Sequence, residues 1–284
     1  MTPAAVVAEP TAFGARLALV ARGDAGLEVV DRAFVPDRDV EAGRTALTER
    51  WSAAVAALPL VRPHSEATAR ALGEFVAVSR DGDRPRGAGQ VHLGVGVPAG
   101  LIRIEGRVLR DRRGVPLVPH AGFPRAWARG TLAAGPDAPR KGPSPWDDAA
   151  LAAAAARLEL AEPGPGLFDP TLAADAIARR IARADANAAD FCGALQRSLG
   201  VWIGGLVDLL DAATVVVHAP AALHPWLGLR AGEAVPLDQS PLAAHVARHA
   251  FASLREGVCL CAGSLDPDAV ALGAAADALG LVDV

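Results

Sequence analysis

The sequence has little positive charge apart from arginine. Lysine occurs once among the 284 residues, as Lys141, so a mechanism that needs a lysine ammonium group against a phosphate has only this residue to use. The formal net charge is −4, which gives no electrostatic reason to expect nucleic acid as a partner. Because 51% of the residues are hydrophobic, the composition is that of a well-cored globular protein.

Long apolar runs and a secretory leader are also lacking. No stretch approaches the roughly 20 apolar residues of a membrane span. The opening residues MTPAAVVAEP have neither the basic start nor the apolar run of a signal peptide. Cysteine occurs three times, as Cys192, Cys259 and Cys261, and an odd count in such a chain is typical of free thiols. We therefore expect a cytoplasmic protein that does not associate with membranes.

Metal-binding patterns are weak. Cys259 and Cys261 lie two apart in GVCLCAG, which on a strand places both on one face, but no second pair of ligands lies nearby in the sequence. His245 and His249 lie four apart, on one face of a predicted helix, without the glutamate of a zinc protease helix. We expect buried strand cysteines, an exposed histidine pair and no metal site.

Strand and helix patterns alternate along the chain, which predicts an α/β protein. Two β-rich runs around RGDAG predict a hairpin over 14–34. Helical spacing follows over 39–58, and again over 65–79 with Ser65 as N-cap. In the second half, the sequence predicts a long helix, a short strand at TVVVHAP, a helix over 240–257, a strand at VCLCAG and a helix over 266–282. His218 and His224 are expected in a loop after the first of these strands.

The stretch QVHLGVGVPAGLIRIEGRVL, residues 90–109, predicts a strand, a glycine turn and a second strand. Gly94, Gly96 and Gly100 leave backbone N–H groups uncovered, as a phosphate-holding loop does. The alternative is an ordinary hairpin whose glycine turn has no ligand.

The order of these elements resembles that of the ROK family (repressors, open reading frames, sugar kinases) over about 64–120 and 185–284. The resemblance implies an actin-like, ribonuclease H-like ATPase fold with two lobes and, commonly, a dimer. It implies lobes at 1–90 and 91–284. Within the second lobe, the many Pro, Gly and Arg residues predict an irregular excursion over 110–150. Only about 30 residues separate the first hairpin from Glu66, where family members have a further strand and a G-x-P-G turn. The N-terminal lobe is therefore expected to be shortened.

The resemblance also assigns functional positions. It places Glu66 at the catalytic aspartate, which takes the proton of a sugar hydroxyl, and His120 at the sugar-binding histidine. The same comparison assigns Gly94, Gly96, Gly100 and Gly273 to nucleotide binding. Each residue has a plainer alternative: a surface glutamate for Glu66, an ordinary polar residue for His120, helix packing for Gly273 and a hairpin turn for the others.

This sequence departs from the family pattern where the chemistry should be. Glu9 stands where the first phosphate loop has aspartate, and Pro10 beside it removes an N–H group. Val95 and Leu117 replace a threonine and a sugar-binding glutamate. The family's zinc-binding cysteine cluster is missing, since the next cysteine after His120 is Cys192.

These departures predict a family member without sugar-kinase catalysis, acting as a scaffold, ligand sensor or assembly partner, with no cofactor expected. One alternative is an active kinase that uses ATP and Mg²⁺ to phosphorylate a hexose or an N-acetylated amino sugar, with Glu66 as base. A second is a regulator related to the ROK repressors but without a DNA-binding domain of its own. The expected partners are a sugar ligand and a second copy or another protein, with neither nucleic acid nor membrane.

Overall fold

The chain divides into two compact units that are discontinuous in sequence. The computed structural model describes residues 1–11, 14–24, 26–36, 39–63, 65–78, 89–95, 99–105, 107–114, 116, 170–248, 250, 256–263 and 268–282. Unit 1 comprises residues 1–86, 106–117 and 266–284, and unit 2 comprises residues 87–105 and 118–265. This division differs from the single boundary after residue 90 that the sequence suggested, because the C-terminal helix packs within unit 1. No helix among the described ranges is long and apolar enough to cross a membrane.

Unit 1 contains a four-stranded sheet in the order β3–β2–β1–β4. Its strands are β1 (Thr2–Thr11), β2 (Gly14–Gly23), β3 (Gly26–Val35) and β4 (Leu60–Val61). β2 pairs antiparallel with both β1 and β3, and β4 pairs parallel with β1. The hairpin predicted over 14–34 is therefore confirmed as β2 and β3.

Helix α1 (Val40–Arg50) packs on one face of this sheet, where Leu47 joins Val6, Ala8, Leu17 and Leu19 in a buried cluster. The helix predicted over 39–58 ends earlier than expected, at Arg50, and a 3₁₀ turn follows at Ala53–Ala57. Ser52 has an extended backbone, and the indole N–H of Trp51, a residue that is 40% exposed, donates to Asp31 on β3. A contact distant in sequence thus lies where the helix ends.

Helices α2 (Glu66–Val78) and α7 (Ala269–Ala278) cross closely in unit 1. A Cβ atom on Gly73 would lie 1.8 Å from the carbonyl oxygen of Ala269, and one on Gly273 would lie 1.8 Å from that of Ala69. The two helices therefore run antiparallel with their backbones in contact. Ser65 caps α2 as predicted, its Oγ lying 3.5 Å from the Thr68 amide nitrogen.

In unit 2, strands β6, β5, β8, β10 and β9 are neighbours in that order. They are β5 (Gly89–Gly94), β6 (Gly100–Ile104), β8 (Ala212–His218), β9 (Ala234–Pro236) and β10 (Cys259–Ala262); β7 (Arg107–Val108) follows β6 in the chain. β5, β8 and β10 are mutually parallel, whereas β6 and β9 are antiparallel to their neighbours. Unit 1 repeats the arrangement of an antiparallel hairpin beside a parallel strand, but its described residues contain no counterpart of β10.

The helices of unit 2 are α3 (Pro170–Ala182), α4 (Ala186–Leu210), α5 (His224–Leu227) and α6 (Ala243–Val246). The predicted apolar stripe of α4 is buried against the sheet at Leu195, Leu199, Ile203 and Leu206. Gly200 allows α6 to approach, since a Cβ atom there would lie 2.4 Å from the Cβ of His245. Of the helix predicted over 240–257, the described part is helical only at Ala243–Val246, and residues 249 and 251–255 lie outside it.

Candidate functional site

A charged cluster lies in unit 1, where β1 approaches the hairpin to β2. It consists of three carboxylates and three arginines, joined as the ion pairs Glu9–Arg16, Glu66–Arg70 and Asp268–Arg32. Glu9 and Arg16 are directly paired residues of β1 and β2. Asp268 immediately precedes α7. We refer to these six residues as the charged cluster.

Glu66, predicted at the catalytic aspartate position, is the first residue of α2. Its side chain is 57% exposed, and its Oε1 accepts a hydrogen bond of 2.9 Å from Arg70 Nη2, one helical turn later. Arg70 itself is largely buried. A substrate hydroxyl that approached this carboxylate would meet one oxygen already bonded to a guanidinium group.

Glu9 is the most enclosed carboxylate of the cluster, with its side chain 12% exposed. Burial is the largest influence on this group and raises the pKa of Glu9, and the charges of Glu66 and Asp268 act in the same direction. Arg16 and Arg70 oppose the rise, but Arg16 Nη1 is 4.0 Å from Glu9 Oε2 and largely exposed, so its attraction is screened. The folded chain therefore binds a proton at Glu9 more readily than an unfolded chain does.

The hairpin after Glu9 is the segment that the sequence predicted at the place of the first phosphate loop. β1 and β2 remain paired through Pro10 and Ala15 up to Thr11 and Gly14, so strand pairing extends to the end of both strands. A Cβ atom on Gly14 would lie 2.1 Å from the carbonyl oxygen of Val35. Gly14 therefore makes room for the end of β3, and Pro10 has no N–H group to offer a phosphate.

The parallel strands of unit 2 end together at one edge of the sheet, the usual position for ligands in open α/β sheets. Gly94 ends β5, is buried and pairs with His218 at the end of β8; the next residue, Val95, donates its N–H to His218 O at 2.7 Å. Gly100 begins β6, is also buried and pairs with Leu93. The strands around the predicted glycine turn are thus present, and Gly96 lies outside the described residues.

Two histidines form a buried pair beneath this edge. His92 Nδ1 lies 3.0 Å from His218 Nε2, and both side chains are fully buried. A Cβ atom on Gly263, which follows β10, would lie 2.6 Å from the His218 ring, so this glycine makes room for the imidazole. The prediction that His218 lies in a loop was wrong, because β8 continues through it.

The histidine pair belongs to a wider polar face of this sheet. Pairing across the strands puts Gln90, His92 and Arg103 on one side with Thr214 and His218, and all five are buried. Arg103 Nη1 donates to Gln90 Oε1 at 3.3 Å. Sequence reasoning missed His92 and this face, although the alternation of Gln90, His92 and Gly94 in an otherwise apolar strand indicates it.

The other residues that the sequence singled out lie apart from both the charged cluster and the histidine pair, or outside the described ranges. Gly273 lies in α7 against Ala69, which is the packing role given as its alternative. Cys261 is buried on β10 and Cys259 is partly exposed. His245 is half-buried, whereas His249 and His120 fall outside the described ranges. Within those ranges, no group of three or more histidine, cysteine, aspartate or glutamate side chains is arranged to hold a metal ion.

No protein-family model and no curated protein matches the sequence. Solved structures do match. A ROK family transcriptional regulator, a homologue of the E. coli MLC protein, aligns with a TM-score of 0.62 and 15% identity over 98% of this chain and 78% of its own. The ROK hexokinase from Thermus thermophilus aligns at 0.57, with 17% identity over 95% of this chain and 96% of that one.

This chain has the ROK fold. A third structure agrees, since a ROK family glucokinase from Streptomyces griseus, solved with glucose and AMPPNP, aligns at 0.51 with 17% identity over 95% of this chain and 97% of its own. The actin-like α/β fold expected from the order of elements is therefore confirmed. At these identities the likeness concerns the backbone, and activity must be argued from the side chains.

Proposed function

We propose that this chain is a member of the ROK family that has lost sugar-kinase catalysis and works as a non-catalytic scaffold, ligand sensor or assembly partner in the cytoplasm. The observation that carries the proposal is the pairing within the charged cluster, where each of the three carboxylates lies with an arginine. A kinase site needs carboxylates that are available to a sugar hydroxyl and to the magnesium of the nucleotide.

Charge balance in the cluster supports the proposal. Three guanidinium groups match three carboxylates, so the cluster offers no net charge to a magnesium–nucleotide complex. Arg70 binds one of the two carboxylate oxygens of Glu66, and glutamate extends one methylene beyond the family's aspartate. Catalytic groups must be placed to within a fraction of an ångström, so both features oppose proton transfer.

The hairpin between β1 and β2 supports it as well. Phosphate sites use free backbone N–H groups and glycines that let the ligand approach the chain. Here Pro10 has no N–H group, and the space beside Gly14 is filled by the end of β3.

Calorimetry with Mg-ATP tests the proposal, and the expected result is no binding. A parallel assay follows ADP release over a panel of hexoses and N-acetylated amino sugars, with the expectation of a rate equal to that without protein. Micromolar affinity for Mg-ATP, or sugar-dependent ADP release, would refute the loss of catalysis.

One observation favours the alternative of a working sugar kinase. Glu66 opens α2 and is more than half exposed, so solvent reaches its second oxygen. On this alternative, Glu66→Gln abolishes sugar-dependent ADP release. Glu233→Gln, which breaks a similar exposed pair with Arg230, is the matched control and retains it. If the chain is instead a ligand sensor, one of the panel sugars should bind in the absence of nucleotide, and calorimetry measures that binding.

The regulator and assembly alternatives concern partners. The first structure described above is a transcriptional regulator, and this chain aligns with 78% of it. We propose that any regulatory role here operates through a second copy or another protein, without direct DNA binding. Light scattering of the purified chain, with and without duplex DNA, tests both points: a dimer whose mass is unchanged by DNA is expected.

A further inference from the structure

A cavity of about 90 Å³ lies within unit 1, beside the N-terminus of α2. The end of β4, the first turns of α2 and the last turns of α7 form its wall, together with Pro116. Its polar lining comes from Arg62, Ser65, Thr68 and Asp277, and Leu72 and Ala274 are among its apolar lining residues. None of these residues belongs to the charged cluster, so the cavity is a separate feature of the unit.

Thr68 gives this cavity a buried hydroxyl that lacks a hydrogen bond. The residue is 4% exposed, and its Oγ1 has no hydrogen-bond partner among the described residues. A buried polar group left unsatisfied destabilises the folded protein. Threonine in a helix divides between two χ1 rotamers, so rotation about Cα–Cβ can turn the hydroxyl toward a molecule in the cavity.

The electrostatic setting favours a negatively charged occupant. The amides of Thr68 and Ala69 are bonded to Ser65 Oγ and Ser65 O, but the first two N–H groups of α2 have no acceptor within the helix and give its N-terminus a partial positive charge. At the C-terminus of α7, by contrast, the carbonyl oxygens of Ala275, Ala276 and Asp277 accept hydrogen bonds of 2.8–3.1 Å from the amides of residues 279–281. The balance of unsatisfied backbone groups therefore lies with donors.

The side-chain charges point the same way. Arg62 is exposed and lines the cavity. The carboxylate of Asp277 is neutralised by Arg110, whose Nη2 lies 2.6 Å from Asp277 Oδ1. One guanidinium group, that of Arg62, therefore remains for an anion, which matches a single negative charge.

We infer that this cavity binds a short monocarboxylate of two or three carbons. The carboxylate would accept hydrogen bonds from Thr68 and the first turn of α2 and pair with Arg62, while its alkyl group contacts Leu72 and Ala274. A volume of about 90 Å³ is smaller than the roughly 150 Å³ of a cavity that holds benzene, which suits a molecule of this size.

The test uses the purified full chain without nucleotide, so its outcome is independent of whether Mg-ATP binds. Ligand-detected NMR and calorimetry measure binding of acetate, propionate, phosphate and glycerol at fixed ionic strength. We expect propionate and acetate to bind in preference to phosphate and glycerol. Preference for phosphate or glycerol, or no carboxylate binding, overturns the inference.

Three variants locate the site. Thr68→Val removes the hydroxyl at constant shape and should weaken carboxylate binding by about tenfold or more, while the stability of the ligand-free protein stays equal or rises. Thr68→Ser keeps the hydroxyl and should retain binding, which guards against a folding defect in the valine variant. Thr45→Val, at an exposed position on α1, is the control and should change nothing. Equal affinity in Thr68→Val and the wild type contradicts the assignment.

Discussion

His92 and His218 form a buried imidazole pair in unit 2, with His92 Nδ1 3.0 Å from His218 Nε2. In such a pair one ring nitrogen donates and the other accepts, so each histidine fixes the tautomer of its neighbour. The pair links the ends of two adjacent parallel strands, β5 and β8, directly below Gly94. It therefore joins these two strands within the core of the unit.

This pair predicts a coupling between the two positions. His92→Leu and His218→Leu should each lower the free energy of unfolding by about 1–3 kcal/mol, because each leaves a buried imidazole nitrogen without its bond to the other ring. The double variant should lose less free energy of unfolding than the two single variants lose together, as measured by urea unfolding. As a control, His92→Leu combined with Thr45→Val, which lies in unit 1, should change the free energy of unfolding by the sum of the two single effects. Strict additivity of the two histidine variants would show that their contact contributes nothing.

The crossing of α2 and α7 predicts an unusual cost for alanine. Gly73→Ala and Gly273→Ala each place a methyl group 1.8 Å from a backbone carbonyl oxygen, so the helices must separate, at a cost of about 1–3 kcal/mol or more.

Gly193→Ala is the matched control for this crossing. It also lies within a helix, but its added Cβ would meet only the end of Arg197, at 3.4 Å. It should stabilise the protein by up to about 1 kcal/mol, because alanine favours the helix. Thermal unfolding of the three variants decides the point, and a neutral Gly273→Ala would leave that residue free for another role.

Local patterns in the sequence predicted much of the fold. The turn residues around RGDAG gave β2 and β3, Ser65 marked the start of α2, and the apolar spacing of α4 identified its buried face. Each of these depends on contacts between near neighbours in the chain or on a single periodicity, which a sequence displays directly.

Contacts between distant segments could not be predicted in the same way. Trp51 at the end of α1 donates to Asp31 on β3, and Gly273 of α7 packs against Ala69 of α2. The charged cluster joins residues as far apart as Arg32 and Asp268. The sequence marked Glu9 and Glu66 as departures from the family pattern, but their arginine partners emerge only when the strands and helices are assembled.

Asp31 predicts a loss of stability in acid. Burial raises the pKa of this carboxyl, but hydrogen bonds from Arg50, the Arg32 amide and Trp51 together outweigh it and hold the pKa below its usual range. The folded state therefore binds this proton less readily than the unfolded chain does. The contribution of Asp31 is complete above the unfolded pKa of about 3.9 and is lost as the pH falls through the lower folded value.

Asp31→Asn should accordingly be less stable than the wild type at neutral pH, with a shallower decline of stability in acid. Urea midpoints measured across the acid range test this, with Asp24→Asn in an exposed turn as control. An unchanged slope in Asp31→Asn would assign the acid sensitivity to other carboxylates.

The cysteines should differ in reactivity. Burial raises the pKa of the Cys192 thiol to about 11, and both Cys192 and Cys261 are buried while Cys259 is partly exposed. The thiolate is the reactive form, so iodoacetamide should modify Cys259 first in the native protein. Cys192 and Cys261 should react only after unfolding, as followed by intact mass and peptide mapping. Early modification of Cys192 would contradict the burial of α4 at that position.

Glu9 predicts the opposite pH dependence from Asp31. Because burial, aided by Glu66 and Asp268, raises the pKa of Glu9, the folded state binds this proton more readily than the unfolded chain. Its favourable contribution is complete below the unfolded pKa of about 4.3 and is lost as the pH rises through the higher folded value. Glu9→Gln should therefore unfold at higher urea than the wild type at neutral pH, and the difference should vanish in acid. Glu49→Gln, on the exposed side of α1, is the control and should show no such dependence. If Glu9→Gln is instead less stable at neutral pH, the ion pair with Arg16 outweighs the cost of burial, and Glu9 is held in the cluster as a stabilising charge.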